Sequence, residues 1–280
     1  METGDPLVTA QWLKDNIHAP DLRLVDATWV PPFLTDRKSG RAQYDEAHIP
    51  GAVYFDIDKI ADPGTDLSHM LPDAILFASR VRKLGLGDGN RLVIYDANGF
   101  FASARVWWMF RAMGHGDVKV LDGGLAAWQA IGGETEDLPP VAVERHYTAR
   151  KRADLIKDKA QILALLDHGE TSVLDARPQG RFDGTSPEPR KDLPAGHIPG
   201  SVCVPASGLT NPDGTMKSKA DLDPILATYA DRPVVTTCGS GVSAAVITLA
   251  LARVGNWDAA IYDGSWSEWA ADAASPIATT

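Results

Sequence analysis

The residues best able to do chemistry stand together in Val234-Val235-Thr236-Thr237-Cys238-Gly239-Ser240-Gly241-Val242-Ser243-Ala244, ahead of an apolar run that ends at Leu251. A β-branched run that stops at a cysteine, then two glycines within three residues, then helix formers, reads as strand, tight loop and helix. Gly239 and Gly241 let the backbone curl so that successive N–H groups, through Val242 and Ser243, point inward. Such a nest at the start of a helix favours an anion over a neutral group. The anion expected here is the thiolate of Cys238, the candidate nucleophile. The other reading of the same residue is a structural cysteine that ends a core strand.

The elements that position this loop follow from the hydrophobic pattern. Thr9 can cap a helix over Ala10 to His18, and Leu22 to Asp26 reads as a short buried strand. A polar loop from Pro31 to Glu46 leads to His48-Ile49-Pro50-Gly51-Ala52 and a strand-like Val53-Tyr54-Phe55. Then come a helix over Asp73 to Leu84, a strand Arg91 to Tyr95, a helix Ala102 to Met113, a strand Val118 to Leu121, and a helix opened by Asp122-Gly123-Gly124. Alternating strands and helices predict an α/β fold with a mainly parallel sheet.

From Gly132 to Arg152 the pattern lapses into Gly, Pro, Glu and Arg around Pro139-Pro140, and beyond it the chain repeats itself. Asp26-Ala27 returns as Asp175-Ala176 and His48-Ile49-Pro50-Gly51 as His197-Ile198-Pro199-Gly200, each 149 residues on (26 to 175, 48 to 197). Asp122-Gly123 with Trp128 returns as Asp263-Gly264 with Trp269, 141 residues on (122 to 263). Motifs recurring in one order predict two copies of one unit: a first domain over 1–135, a linker over 136–152 and a second domain over 153–280. Superposing the copies sets Leu92-Val93-Ile94-Tyr95-Asp96 on Val234-Val235-Thr236-Thr237-Cys238. The first copy therefore carries Asp96 in place of the sulfur nucleophile and is expected to support the second.

The chain has 280 residues, 44% of them apolar, and a formal net charge of −10, which argues against nucleic acid or an anionic membrane as partner. Two cysteines make no disulfide framework and suit a reducing compartment. The stretch Met1 to Pro6 has neither a basic nor an apolar leader region, so the cytoplasm is expected. His18, His69, His115, His146 and His168 fall at scattered intervals, so neither a metal nor a cofactor is expected. Cys203 follows a strand-like Ser201-Val202 and is expected to be inert.

These residues resemble the two-domain rhodanese-type sulfurtransferases, and among them the 3-mercaptopyruvate type. The resemblance covers nearly the whole chain and rests on the paired His-Ile-Pro-Gly motifs, on Arg105 to Arg111, on Cys238-Gly-Ser-Gly-Val-Ser, and on Tyr262-Asp263-Gly264-Ser265-Trp266. It implies two tandem rhodanese-like domains and a Cys238 persulfide formed from 3-mercaptopyruvate with release of pyruvate. The sulfur would then pass to cyanide or to a thiol such as reduced thioredoxin. It also implies that Arg181 and Arg190 hold the donor's carboxylate and carbonyl end. Ser240 would belong to a Ser-His-Asp relay with a first-domain histidine and aspartate, for which His48 and Asp36 are the candidates, Asp45 being the other aspartate in reach. Ser243 stands where threonine is common in the family and keeps the hydroxyl.

Three alternatives are weighed against this reading. A thiosulfate sulfurtransferase usually carries basic residues just after the cysteine, and here those positions are Gly239 and Ser240. A cysteine phosphatase of the Cys-x5-Arg type needs an arginine at the position held by Ala244. A non-enzymatic binding module predicts loss of both cysteine positions, and Cys238 is present.

Overall fold

The computed structural model describes residues 4–166, 171–190 and 192–280; His168 and the first three residues of the N-terminal stretch lie outside them. The first half of the chain runs β1 (Leu7–Val8), α1 (Ala10–Asn16), β2 (Leu22–Asp26), α2 (Gly40–Glu46), β3 (Val53–Tyr54), α3 (Ala74–Lys83), β4 (Arg91–Tyr95), α4 (Ser103–Ala112), β5 (Val118–Leu121) and α5 (Gly124–Ala130). The second half runs β6 (Ile156–Lys157), α6 (Lys159–Leu166), β7 (Ser172–Asp175), α7 (Gln179–Phe182), β8 (Val202–Cys203), α8 (Lys219–Leu226), β9 (Val234–Thr237), α9 (Ala244–Val254), β10 (Ala260–Tyr262) and α10 (Ser265–Trp269).

Each half builds a five-stranded parallel sheet, and the strand orders β1-β5-β4-β2-β3 and β6-β10-β9-β7-β8 are the same order written twice. The central strands β4 and β9 are covered on both faces, so neither alternates apolar with polar residues as a half-exposed strand would. Thr236 fits inside β9 because its hydroxyl pairs with that of Thr248 on α9 at 2.9 Å. In both sheets the chain leaves the middle strands in opposite directions. The crevice beyond the carboxyl ends of β7 and β9 is therefore where an open α/β sheet receives a ligand.

Helices α4 and α9 follow β4 and β9, lie at the seam between the two sheets and share one apolar core. All ten residues of α4 and the first nine of α9 are buried, as expected of helices that are enclosed all round. The two arginines inside α4 are tolerated because each lies over an indole, Arg105 at 4.4 Å from Trp108 and Arg111 at 4.7 Å from Trp107, and each donates into the second half of the chain, Arg105 to Asp263 and Arg111 to the Trp257 carbonyl.

One local expectation changes. The polar segment 31–46 ends in α2, with Ser39 Oγ accepting from the Ala42 N–H at 3.2 Å. Gly40 hides this helix in the sequence, but the glycine is required there, since a Cβ would stand 1.9 Å from the Thr28 carbonyl oxygen. Residues 137–152 hold neither helix nor strand, and Tyr147 fastens the segment to the first half by packing against Phe77 and stacking on His115. Among the described residues no helix is long and apolar enough to cross a membrane.

Candidate active site

Cys238 is the first residue after β9 and is only 2% exposed. Ser265 Oγ accepts from its backbone N–H at 3.3 Å, while its carbonyl accepts from Trp266 at 3.0 Å, so the next repeat motif holds the turn from below. Gly241 takes φ +78, and a Cβ there would meet the Asp263 carbonyl oxygen at 2.9 Å and Arg105 Nη1 at 3.0 Å. Among the described residues the N–H groups from Gly239 to Ser243 find no acceptor. The loop is thus a nest of free donors with a sulfur at its mouth.

The cationic wall comes from the segment after β7. Arg181 and Arg190 both lean on Gly239: a Cβ built there would stand 2.5 Å from Arg190 Nη1 and 3.2 Å from Arg181 Nη2. Arg190 Nη2 donates to Ser240 Oγ at 2.7 Å. That bond uses a lone pair and leaves the Ser240 hydroxyl proton free to donate elsewhere. Arg181 is held in turn by Glu188, with Nη2 at 2.6 Å from Oε1.

These groups, with Val242 and Ser243, line a cavity of about 50 Å³ whose opposite wall is Trp29, Pro31, Phe33 and Phe101 from the first half of the chain. The cavity shares Phe33, Phe101, Arg181 and Ser243 with a cleft of about 410 Å³ along the same seam. A buried sulfur under so small an opening admits a slender donor, and the apolar wall keeps water away from the nest.

His48 and Asp36 are not brought to this cavity, which corrects the expected relay. His48 is fully buried elsewhere: its Nδ1 donates to the Tyr44 carbonyl at 2.8 Å, its ring stacks on Tyr44, and its Nε2 faces Glu136 at 3.7 Å. His197 repeats the arrangement, with Nδ1 donating to the Phe182 carbonyl at 2.9 Å and its ring stacked on Phe182. The His-Ile-Pro-Gly motif is therefore a folding device used once per half. Asp36 is exposed in a turn, and Asp45 pairs with Arg41 at 2.8 Å.

The histidine the structure sets beside the cavity is His69. Its Nδ1 lies 2.9 Å from Asp58 Oδ1, its ring meets the cavity-wall indole of Trp29 edge-on at 4.9 Å, and its carbonyl accepts from Arg105 Nη2 at 2.5 Å. Arg105 Nη1 donates to the Gly241 carbonyl at 3.3 Å and to Asp263 at 2.5 Å, so one guanidinium ties the His69 backbone to the cysteine loop. Burial alone would raise the Asp58 carboxyl, but the hydrogen bonds from His69 and from Trp29 Nε1 outweigh it and hold Asp58 below the usual carboxylate range. Nothing in the sequence marks this pair, because both residues sit in irregular chain and only the fold carries them to the seam.

Cys203 contrasts with Cys238. Burial, with Asp175 and Asp183 nearby, pushes its thiol up to about 11. Among the described residues no group of histidine, cysteine and carboxylate side chains is placed to hold a metal ion.

Comparison with known proteins defines the family. The rhodanese-like domain model matches twice, over residues 9–131 and 158–272, and the chain belongs to that family. It is 37% identical to thiosulfate/3-mercaptopyruvate sulfurtransferase 1, mitochondrial, of Arabidopsis thaliana, over 99% of this chain and 79% of that protein. It is 40% identical to the 3-mercaptopyruvate sulfurtransferase of Homo sapiens, over 94% of this chain and 91% of that one. The crystal structure of an Escherichia coli 3-mercaptopyruvate sulfotransferase superposes with a TM-score of 0.85 at 34% identity, covering 94% of this chain and 99% of the other.

Proposed function

We propose that the protein is a 3-mercaptopyruvate sulfurtransferase whose nucleophile is Cys238. The observation that carries the reading is the meeting, at one cavity, of a buried cysteine, an unfilled nest of N–H donors and two arginines drawn against Gly239. The Cys238 thiolate attacks the donor's sulfur, so that an S–S bond forms as the donor's C–S bond breaks. The electron pair of the broken bond leaves on carbon as the enolate of pyruvate, which takes up a proton. Arg190 and Arg181 hold the carboxylate and carbonyl end, where charge-assisted hydrogen bonds are strongest. The free proton of the Ser240 hydroxyl faces the developing enolate, and His69 with Asp58 takes the place of the histidine–aspartate pair behind it. In the second half-reaction cyanide, or the thiolate of an acceptor such as reduced thioredoxin, attacks the outer sulfur and returns Cys238 as thiolate.

On this reading residues 1–135 form the supporting domain, 136–152 the strap and 153–280 the catalytic domain, and the cytoplasm is the compartment that keeps the thiol reduced. The test is a burst measurement. Mercaptopyruvate added without acceptor is expected to release one equivalent of pyruvate per chain, and none from the Cys238→Ser variant. A full burst from that variant overturns the reading.

A further inference from the structure

We infer that Glu188 sets which sulfur donor the site prefers, by leaving the Cys238 cavity with a single net positive charge that suits a monoanionic α-keto acid thiol over the thiosulfate dianion. The inference rests on the sulfurtransferase reading and concerns the donor of that same site.

Glu188 lies between Pro187 and Pro189, and its side chain is 1% exposed. A carboxylate so deeply buried needs cationic partners, and it has three: Arg181 at 2.6 Å, and Arg177 and Arg190 each at 3.6 Å. Arg177 is already matched, by a carboxylate of its own at 2.6 Å, Asp175, and by the indole of Trp266 at 4.2 Å. Arg181 directs Nε and Nη2 into Glu188. Arg190 keeps Nη2 on Ser240 and holds Glu188 at longer range. Elsewhere at the seam Arg105 is paired with Asp263, and Asp58 accepts from Trp29 Nε1 at 2.9 Å with His69 Nδ1 also 2.9 Å away.

Around the cavity, then, three guanidiniums face two carboxylates, and one positive charge is left over. The carboxylate of mercaptopyruvate matches it. Thiosulfate brings two negative charges, the second of which has only loop dipoles to meet it. In a site this sheltered an unmatched charge counts several-fold more than it would in water. A glutamate that merely kept the loop in shape would act on both donors alike, whereas a charge balance acts on them differently.

The test is the ratio of kcat/KM for thiosulfate to that for mercaptopyruvate, with cyanide as acceptor. Glu188→Gln keeps the shape and raises the net charge to two; the ratio is expected to move toward thiosulfate by roughly tenfold, with thiosulfate turnover itself rising. Glu188→Asp keeps the charge and is expected to hold the ratio within about twofold. Because a glutamine among three guanidiniums risks unsettling the loop, Ser243→Lys adds the charge from the end of the cysteine loop instead. Ser243 is half-buried and makes no side-chain cap bond, and the same direction of change is expected. An unchanged ratio in both Glu188→Gln and Ser243→Lys, or a parallel fall for the two donors in Glu188→Gln, overturns the inference while leaving the sulfurtransferase reading intact. An unsubstituted protein that gains no sulfur from mercaptopyruvate removes that reading and the inference with it.

Discussion

The loops after β4 and β9 are the same structure used in two ways. Each follows a buried central strand, each precedes a buried helix, and each turn carbonyl accepts from the following repeat motif, Leu125 to Asp96 at 3.1 Å and Trp266 to Cys238 at 3.0 Å. In the first loop the carboxylate of Asp96 takes the N–H groups of Asn98, Ala102 and Ser103 at 3.0, 3.0 and 2.8 Å. In the second, the N–H groups from Gly239 to Ser243 have no acceptor among the described residues, and the side chain is a thiol. A nest that its own chain fills with an anion is a structural cap; the same nest left open, with arginines at its rim, is a place for a substrate.

The residues two positions beyond the β2 and β7 repeat aspartates tell a parallel story. Asp175 is paired with Arg177 through three side-chain bonds of 3.0, 3.0 and 2.6 Å, whereas Asp26, equally buried, has Thr28 at the matching position. Burial pushes Asp26 up to about 6, against the hydrogen bonds from Thr28 and Tyr95 that pull the other way. In the half that carries the proposed nucleophile, Asp175 is matched by Arg177, which lies beside Glu188 and the arginines of the cavity. The supporting half carries in Asp26 a buried carboxyl that is not so matched.

The sharpest way to break the comparison is to move the thiol. In the double variant Asp96→Cys with Cys238→Ser, no turnover is expected. The sulfur would sit where Phe100, held at φ +64 and 2% exposed, and Phe101 close the loop, and among the described residues no arginine pair faces it. Sulfur uptake by that variant would show that the nest alone suffices.

Next come the two aspartates. Asp175→Asn takes from Arg177 its 2.6 Å carboxylate and leaves it Glu188 at 3.6 Å, and is expected to cost about 3 kcal/mol in urea unfolding. Asp26→Asn should behave oppositely with pH. The folded state binds Asp26's proton more tightly than the unfolded chain, so it holds more protons between about pH 4 and 6. Wild-type stability therefore falls as pH rises through that window, by about 3 kcal/mol in all. Asparagine cannot ionise, so the variant's stability relative to wild type should improve by up to that amount between pH 4 and 7.5; parallel pH curves would contradict the assignment.

A smaller effect is expected at Gly239, whose counterpart in the first loop is Ala97. Gly239→Ala puts a methyl 2.5 Å from Arg190 Nη1, a contact that a flexible arginine relieves by withdrawing. A fall of roughly tenfold in kcat/KM for mercaptopyruvate is expected at unchanged melting temperature. The smallest effect belongs to Cys203→Ser, for which activity within about twofold of wild type is expected, since a thiol pushed up to about 11 offers little thiolate.

Much of this was legible in the residues. The β-branched and apolar runs placed β2, β4 and β5 to the residue, because parallel central strands are nearly continuous apolar segments bounded by turns. The Cys238 loop announced itself through its glycines, and the repeat set Asp96 in the matching position. His48 misled for a reason that the repeat itself contained: a motif present in both the active and the inactive half cannot be what distinguishes them, and His48 and His197 make the same ring stack and the same carbonyl bond. His69 and Asp58 were beyond reach, because they lie in irregular chain and owe their position to Arg105 and Trp29, contacts that only the packed seam creates. Glu188 carries no signal in the sequence, since only the fold buries it among three arginines.

The central claim is that Cys238, and not the protein's other thiol, carries the transferred sulfur. It is tested most directly by adding mercaptopyruvate without acceptor, digesting under conditions that preserve persulfides, and mapping the added sulfur by mass. One sulfur on the peptide containing Cys238 and none on that containing Cys203 is the expected result. Sulfur on Cys203, or on neither, would contradict the account.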